Sequence, residues 1–275
     1  MTAVNSMDYS GKDTVLDVVR TEAADFFKLV DDPKNWNVQT RCTEWEVRDM
    51  VGHMLDVTEG YLSRWESARN KEERNTAGLL VMADSLNKGA QSFRTLSRED
   101  AIMRLKDDYA KMMDIFEKIS ADDWGGFIVM HPYMGGLPTF FYPAFHVMDY
   151  GVHTWDMRWG MGEKTRKLDE RTAGVLVPYM LYALLPSTID QTSAAGVDVE
   201  FGIEVSGEWG GKWRATVKDG KFAAAAETNN FEGCKAVFSF DPSDFVLTSF
   251  QRFPGGTTRG DQDTIDKVRH LFFRI

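Results

Sequence analysis

The apolar residues of this chain change their period near Pro186, and one kind of secondary structure cannot satisfy both patterns. From about Asp13 to Pro186 they recur at steps of three and four. Val15, Val19, Ala23, Phe26 and Val30 mark a first helix, and Val47, Val51, Met54, Thr58, Tyr61 and Trp65 a second. Ile102, Leu105, Tyr109, Met112, Phe116 and Ile119 mark a third, with Ser97 and Asp100 placed as an N-terminal cap. A fourth spans about Leu137 to Trp159 and stops at Gly160, where a terminal glycine is expected. Shorter helices are predicted within 72–93 and over Leu168–Leu185. Four long amphipathic helices read as a bundle.

After Pro186 the pattern becomes that of strands. Val197, Val199, Phe201, Ile203 and Val205 alternate with Asp198, Glu200, Gly202 and Glu204, which describes a strand with one wet face. Trp213, Ala215 and Val217 alternate likewise, and Asp219-Gly220 is a two-residue hairpin signal before Phe222. Ala236–Phe240 reads as a further strand, Asp241-Pro242 as the capped start of a helix, and a last helix begins near Asp263. The predicted class is therefore α+β. A four-helix bundle occupies 1–186, a polar linker 187–196, and a small α+β domain with a mainly antiparallel sheet 197–275.

Charge and composition narrow the function. Asp and Glu number 42 against 32 Lys and Arg, a formal charge of −10, so a phosphate-binding face is disfavoured and no nucleic-acid partner is expected. The longest apolar run, Ala173–Pro186, is interrupted by Pro178 and falls short of the roughly 20 residues that a membrane span needs. The opening residues lack the basic and apolar regions of a secretory leader, and two cysteines, Cys42 and Cys234, suit a reducing compartment. A soluble cytoplasmic protein is expected.

The fourth helix carries the chemistry. At about 100° per residue, Phe141, Phe145, Met148, Val152 and Trp159 define an apolar arc. Asp149 and Asp156 fall inside that arc, with His146 and His153 on its flank. A carboxylate turned towards a core is costly unless it is paired or holds a metal. Asp149 and His153 are four residues apart, so their side chains stand one above the other and can chelate one ion. A third ligand must come from another helix. The chain has five histidines; His131 lies in a Pro/Gly-rich loop and His270 in the terminal helix, so His53, mid-helix in the second helix, is the best choice. Two histidines and one carboxylate leave coordination positions open, the pattern of a catalytic site. The plain alternative is an Asp149–His153 ion pair on a wet helix face.

The segment Trp36–His53, with Cys42, Trp45, Asp49 and His53, resembles the opening signature of the mycothiol-dependent maleylpyruvate isomerase family. The family's second signature, Glu-x-x-x-His-x-x-Asp, is similar to Asp149, His153 and Asp156 as spaced here. The resemblance implies a DinB-like four-helix bundle that binds a divalent metal, usually zinc, through His53, Asp149 and His153. Phe238–Arg252, with Gly255-Gly256 and Gly260-Asp261, resembles the family's second domain, which is similar to sterol carrier protein 2. From it the resemblance implies a catalytic arginine, with Arg252 the closest equivalent and Arg259 competing. The chain departs from the family at Asp149, where glutamate is usual.

The resemblance also implies a mechanism. A metal-bound thiol, with mycothiol as first candidate, is deprotonated near neutral pH and attacks an electrophilic carbon of a small substrate. The enzyme is then an isomerase, if the adduct rotates and expels the thiol, or an S-transferase or thiol exchanger. Arg252 orients a substrate carboxylate, and Asp156 accepts a hydrogen bond from hydroxyls of the thiol cosubstrate or from a ligand imidazole, with a structural helix–helix hydrogen bond as the plain alternative. Cys42 precedes a helix N-terminus, but no base stands beside it in sequence, so it is read as a loop or packing residue. Two further classes fit the same residues: a thiol-independent non-haem metal enzyme, and a small-ligand carrier whose metal site has decayed.

Overall fold

Polar side chains cap the starts of some helices of the N-terminal half. The computed structural model describes residues 5–273. α1 (Lys12–Val30) is followed by α2 (Val47–Arg69), α3 (Met82–Ser92) and α4 (Arg98–Glu117). α4 begins where the Ser97 hydroxyl accepts the Asp100 backbone N–H at 3.1 Å, the cap that the sequence predicts. α2 begins where Asp49 accepts the Glu46 N–H at 2.9 Å. Asp49 is fully buried and also takes a two-pronged contact from Arg94, at 2.7 and 2.8 Å. One carboxylate thus ties the start of α2 to the segment between α3 and α4.

Next come α5 (Ala121–Gly126), the hairpin β1 (Ile128–His131) and β2 (Gly135–Pro138), and α6 (Phe141–Gly160). The sequence reading has no counterpart for α5 or the hairpin, and the hairpin corrects the placement of His131: it is the last residue of a strand, not part of an irregular loop. α1 packs against α6 and α4, and α2 against α3 and α4. Phe26, Met50, Met54, Leu55, Leu105, Tyr150 and Met157 make a fully buried core between them. Gly52 lets α3 approach α2 closely, since a Cβ there would run into the Ala90 carbonyl oxygen. α6 is buried on all sides from Phe141 to Met157, apart from the half-buried Met148. It has no wet face.

The chain divides into two compact units, Ser6–Leu168 and the residues from Asp169 onward. This moves the boundary expected at 186. α7 (Glu170–Tyr179), a π turn at Met180–Leu184 and α8 (Leu185–Ser187) belong with the C-terminal unit. The reason is packing: the bare backbone of Gly174 lies against the Trp209 ring, with no space for a Cβ. The expected linker is also packed, with Thr188, Ile189 and Ala194 buried and Ile189 bridging to Phe272.

In this unit β3 (Asp198–Val205), β4 (Gly211–Lys218), β5 (Lys221–Ala226) and β6 (Ala236–Phe240) precede α9 (Pro242–Ser249), β7 (Thr257–Gly260) and α10 (Gln262–Arg269). The sheet order is β5-β4-β3-β6-β7, antiparallel except for the β3–β6 pair. Asp219 and Gly220 both have positive φ (50° and 70°), the backbone of the tight hairpin turn expected there. The class is α+β, as read from the sequence. No helix among the described residues is long and apolar enough to cross a membrane.

Replacing Asp49 by Asn removes the charge that Arg94 and the Glu46 N–H share. It is expected to lower stability by about 2 kcal/mol, because Arg94 is partly solvated and loses less than a buried partner would. Urea denaturation of D49N beside the wild type measures this.

Candidate metal centre

α2 contributes His53 and α6 contributes Asp149 and His153, which stand one turn apart on α6 as their spacing requires. All three are buried, and one ligand atom from each lies within 4.8 Å of the other two. The plain alternative, an ion pair on a wet face, is excluded by that burial.

Two features of the geometry suit a cation. His53 Nε2 faces Asp149 Oδ1 across 3.9 Å, beyond hydrogen-bond reach, and the buried Nδ1 of His53 has no hydrogen-bond partner. Ligands at about 2.0–2.1 Å from a tetrahedral ion stand roughly 3.3 Å apart, so modest closure would complete the set. Among the described residues the only ion-pair partner of Asp149 is His53. Burial raises the Asp149 pKa, but the facing His53, His153 and His146 outweigh it and hold the carboxyl below its ordinary range. Burial likewise lowers the His53 pKa, against the opposing pull of Asp149. Asp149 is thus shifted towards its ionised form and His53 towards its neutral form, the forms that bind metal.

A second layer holds this set in place. His153 Nδ1 hydrogen-bonds Asp156 Oδ2 at 3.1 Å, leaving Nε2 as the free ring nitrogen. The Cys42 thiol donates to the same oxygen at 3.4 Å. Cys42 lies in a loop and packs against the bundle core, as expected, and its acceptor, 114 positions away in sequence, is one to which no local pattern points. Cys42, His153 and Asp156 also form a compact group with metal-ligand chemistry.

The loop that carries Cys42 is fastened to α6. The Arg41 N–H donates to the Asp156 carbonyl at 3.0 Å, and Gly160 has no Cβ to keep Gln39 away. Trp45, from the same loop, covers the site. Its ring lies 4.8 Å from that of His53 and 5.8 Å from that of His153, and its indole N–H is anchored on Asn87 at 2.9 Å. The sequence motif contains Trp45, but nothing in the spacing marks it as a lid over both imidazoles.

The other candidates lie elsewhere. Arg252 follows α9 in the C-terminal unit, where its backbone N–H donates to Leu247 at 2.8 Å. Arg259, on β7, pairs with Glu204 at 3.5 Å. His270 is exposed after α10 and contacts the Asp266 carbonyl at 2.7 Å. His131 belongs to the bundle unit, but hydrogen-bonds Tyr61 rather than joining the cluster.

A buried cluster of two histidines and a carboxylate, drawn from two helices, defines a helical-bundle protein with a candidate metal centre. The family model described as the mycothiol maleylpyruvate isomerase N-terminal domain matches residues 16–158, more than half of the 275-residue chain. The chain belongs to that family. A search of curated proteins found no match. Among solved structures, the fold is similar to a mycothiol-dependent maleylpyruvate isomerase at 13% identity and a TM-score of 0.58, covering 91% of this chain and 94% of that one. A mutant of that enzyme matches with the same values. A colibactin self-resistance protein in complex with double-stranded DNA matches at 12% identity and a TM-score of 0.47, over 55% of this chain and 94% of that one.

Two further histidines make the bundle sensitive to acid. Burial pushes His131 and His146 down to about 4, from an ordinary 6.5. Between those values the unfolded chain binds protons that the folded one refuses. The stability of metal-free protein is therefore full above pH 6.5 and falls as the pH drops towards 4. Urea midpoints at pH 7, 5.5 and 4 should decline, and the H146Q variant should decline less steeply.

Proposed function

We propose that this chain is a metal- and thiol-dependent enzyme that isomerises a small electrophilic substrate or conjugates it, with mycothiol as first candidate cosubstrate. The observation that carries the reading is the buried His53, Asp149 and His153 set on a scaffold of this family.

In this reading His53, Asp149 and His153 hold a divalent ion, with zinc first among candidates. Three protein ligands leave a coordination position for an incoming group. When bound, the ion lowers the pKa of a thiol so that the cosubstrate reacts as thiolate near neutral pH.

The chain's own residues arrange the rest. Asp156 fixes the orientation of the His153 ring, and the Cys42 S–H, donating to the same oxygen, steadies Asp156 in turn. Trp45 keeps water from the two imidazoles. Asp149 is one methylene shorter than the family's usual glutamate, so α6 must lie closer to the ion. Arg252 is assigned the substrate carboxylate, through its two-pronged donor geometry. The sulfur adds to an electrophilic carbon: rotation and expulsion of the thiol complete an isomerisation, and release of the adduct completes a transfer. A cytoplasmic location accords with the thiol chemistry and the two free cysteines.

Mass spectrometry of purified wild type is expected to find about one zinc per chain, lost in H153A together with thiol-dependent turnover. The D156N variant keeps all three ligands and should bind zinc about 10–100-fold more weakly. Zinc retained in full by H153A would overturn the ligand assignment. Turnover without added thiol would overturn the thiol mechanism.

A further inference from the structure

α2 ends in a turn that folds the chain back along it. The carbonyls of Glu66, Ser67 and Ala68 accept the N–H groups of Asn70, Glu72 and Lys71, at 3.0, 2.8 and 3.2 Å. Lys71 takes the left-handed backbone (φ 57°) common just past a helix C-terminus. Residues 71–75 then line one side of a cavity of about 430 Å³. The other sides are Arg64 and Ala68, one turn apart on α2, and Ile128 and Met130 of β1. Alternation along β1 buries Val129 and His131 and turns Ile128 and Met130 to the cavity, with Ile128 47% exposed. A cavity of this size can hold a small molecule.

Two guanidinium groups border this cavity, and neither is neutralised by a carboxylate. Arg64 donates to the carbonyls of Met130 and Asn75, at 3.0 and 3.2 Å, and Arg74 to the hydroxyls of Ser67 and Ser63, at 2.8 and 3.0 Å. All four acceptors are neutral. Elsewhere arginines are set against carboxylates, as Arg94 is on Asp49, Arg104 on Glu59 and Arg158 on Asp25. Glu72 also lines the cavity, yet its carboxylate accepts the Ser67 hydroxyl at 2.9 Å rather than an arginine. Nor do the two arginines cap α2, because its last carbonyls are already filled by backbone N–H groups. Burial, and then the charge of Arg74, lower the Arg64 pKa. Like charges held this close repel, and an anion between them would turn that repulsion into attraction. Each guanidinium uses two N–H groups on these acceptors and has others left to donate.

We propose that this cavity binds an organic oxyanion, its charged head between Arg64 and Arg74 and a compact apolar group on Ile128 and Met130. A carboxylate and a phosphate monoester present similar paired oxygens to a guanidinium fork, so the two arginines define the charge of the head and the β1 wall the character of the rest. The site is distinct from the candidate metal centre: Arg64 lies three turns, about 16 Å, along α2 from His53. It does not depend on the metal- and thiol-dependent reading.

Calorimetric titration of the full chain with benzoate, phenyl phosphate and inorganic phosphate tests this. The wild type is expected to bind an aromatic anion more tightly than inorganic phosphate, and the tighter of the two aromatic anions identifies the head group. R74A, a change at an exposed residue, and R64M are each expected to weaken that binding about tenfold. I128S is expected to bring the aromatic anion down to the affinity of inorganic phosphate. H153A, altered at the candidate metal centre, is expected to bind the anion as the wild type does. No binding by the wild type, unchanged binding in both arginine variants, or inorganic phosphate bound as tightly as the aromatic anions would each overturn the assignment. Binding lost in H153A but kept in R74A would place the anion at the metal centre and overturn it as well.

Discussion

An ionised carboxylate buried in the middle of a helical bundle, facing His53 as its only ion-pair partner among the described residues, is the constraint around which the N-terminal unit is arranged. Removing such a charge from water costs several kcal/mol unless compensating groups surround it. Around Asp149 those groups are imidazoles: His53 across the helix interface and His153 one turn along α6, with His146 one turn back. Together they outweigh the cost of burial and hold the Asp149 carboxyl below its ordinary range. A cation among them would compensate well, and the same energetic argument accounts for both the burial and the choice of ligands.

Rigidity comes from two sources. The helices set the spacing of the candidate ligands, because residues four apart on one helix keep a fixed offset. The loop before α2 sets the surroundings. It is pinned to α6 through Arg41, Asp156 and the bare Gly160, and it places Trp45 over both imidazoles and Cys42 against Asp156. A family signature that looks in sequence like the approach to a helix is, in space, the cover of the site.

Much of this is legible in the sequence. The caps at Ser97 and Asp241, the Asp219-Gly220 turn and the period change all correspond to observed elements. The hairpin β1–β2 is not legible, because its second strand begins Gly-Gly and shows no alternation. Nor is β7, because all four of its residues are exposed and carry no apolar signal. α7 is legible as a helix but not as part of the C-terminal unit, since periodicity reports that a face will be buried and is silent on what buries it.

The amino-acid sequence by itself determined the local geometry: where helices and strands form, and that Asp149 and His153 share one face of a helix. Both follow from backbone repeats that operate within one or two turns. Only the tertiary structure decided which distant groups meet. It brought His53 to that face, set Cys42 on Asp156, and placed Tyr61 beside His131. Such contacts join residues tens of positions apart, and they are selected by the summed burial of whole elements rather than by any short stretch of chain.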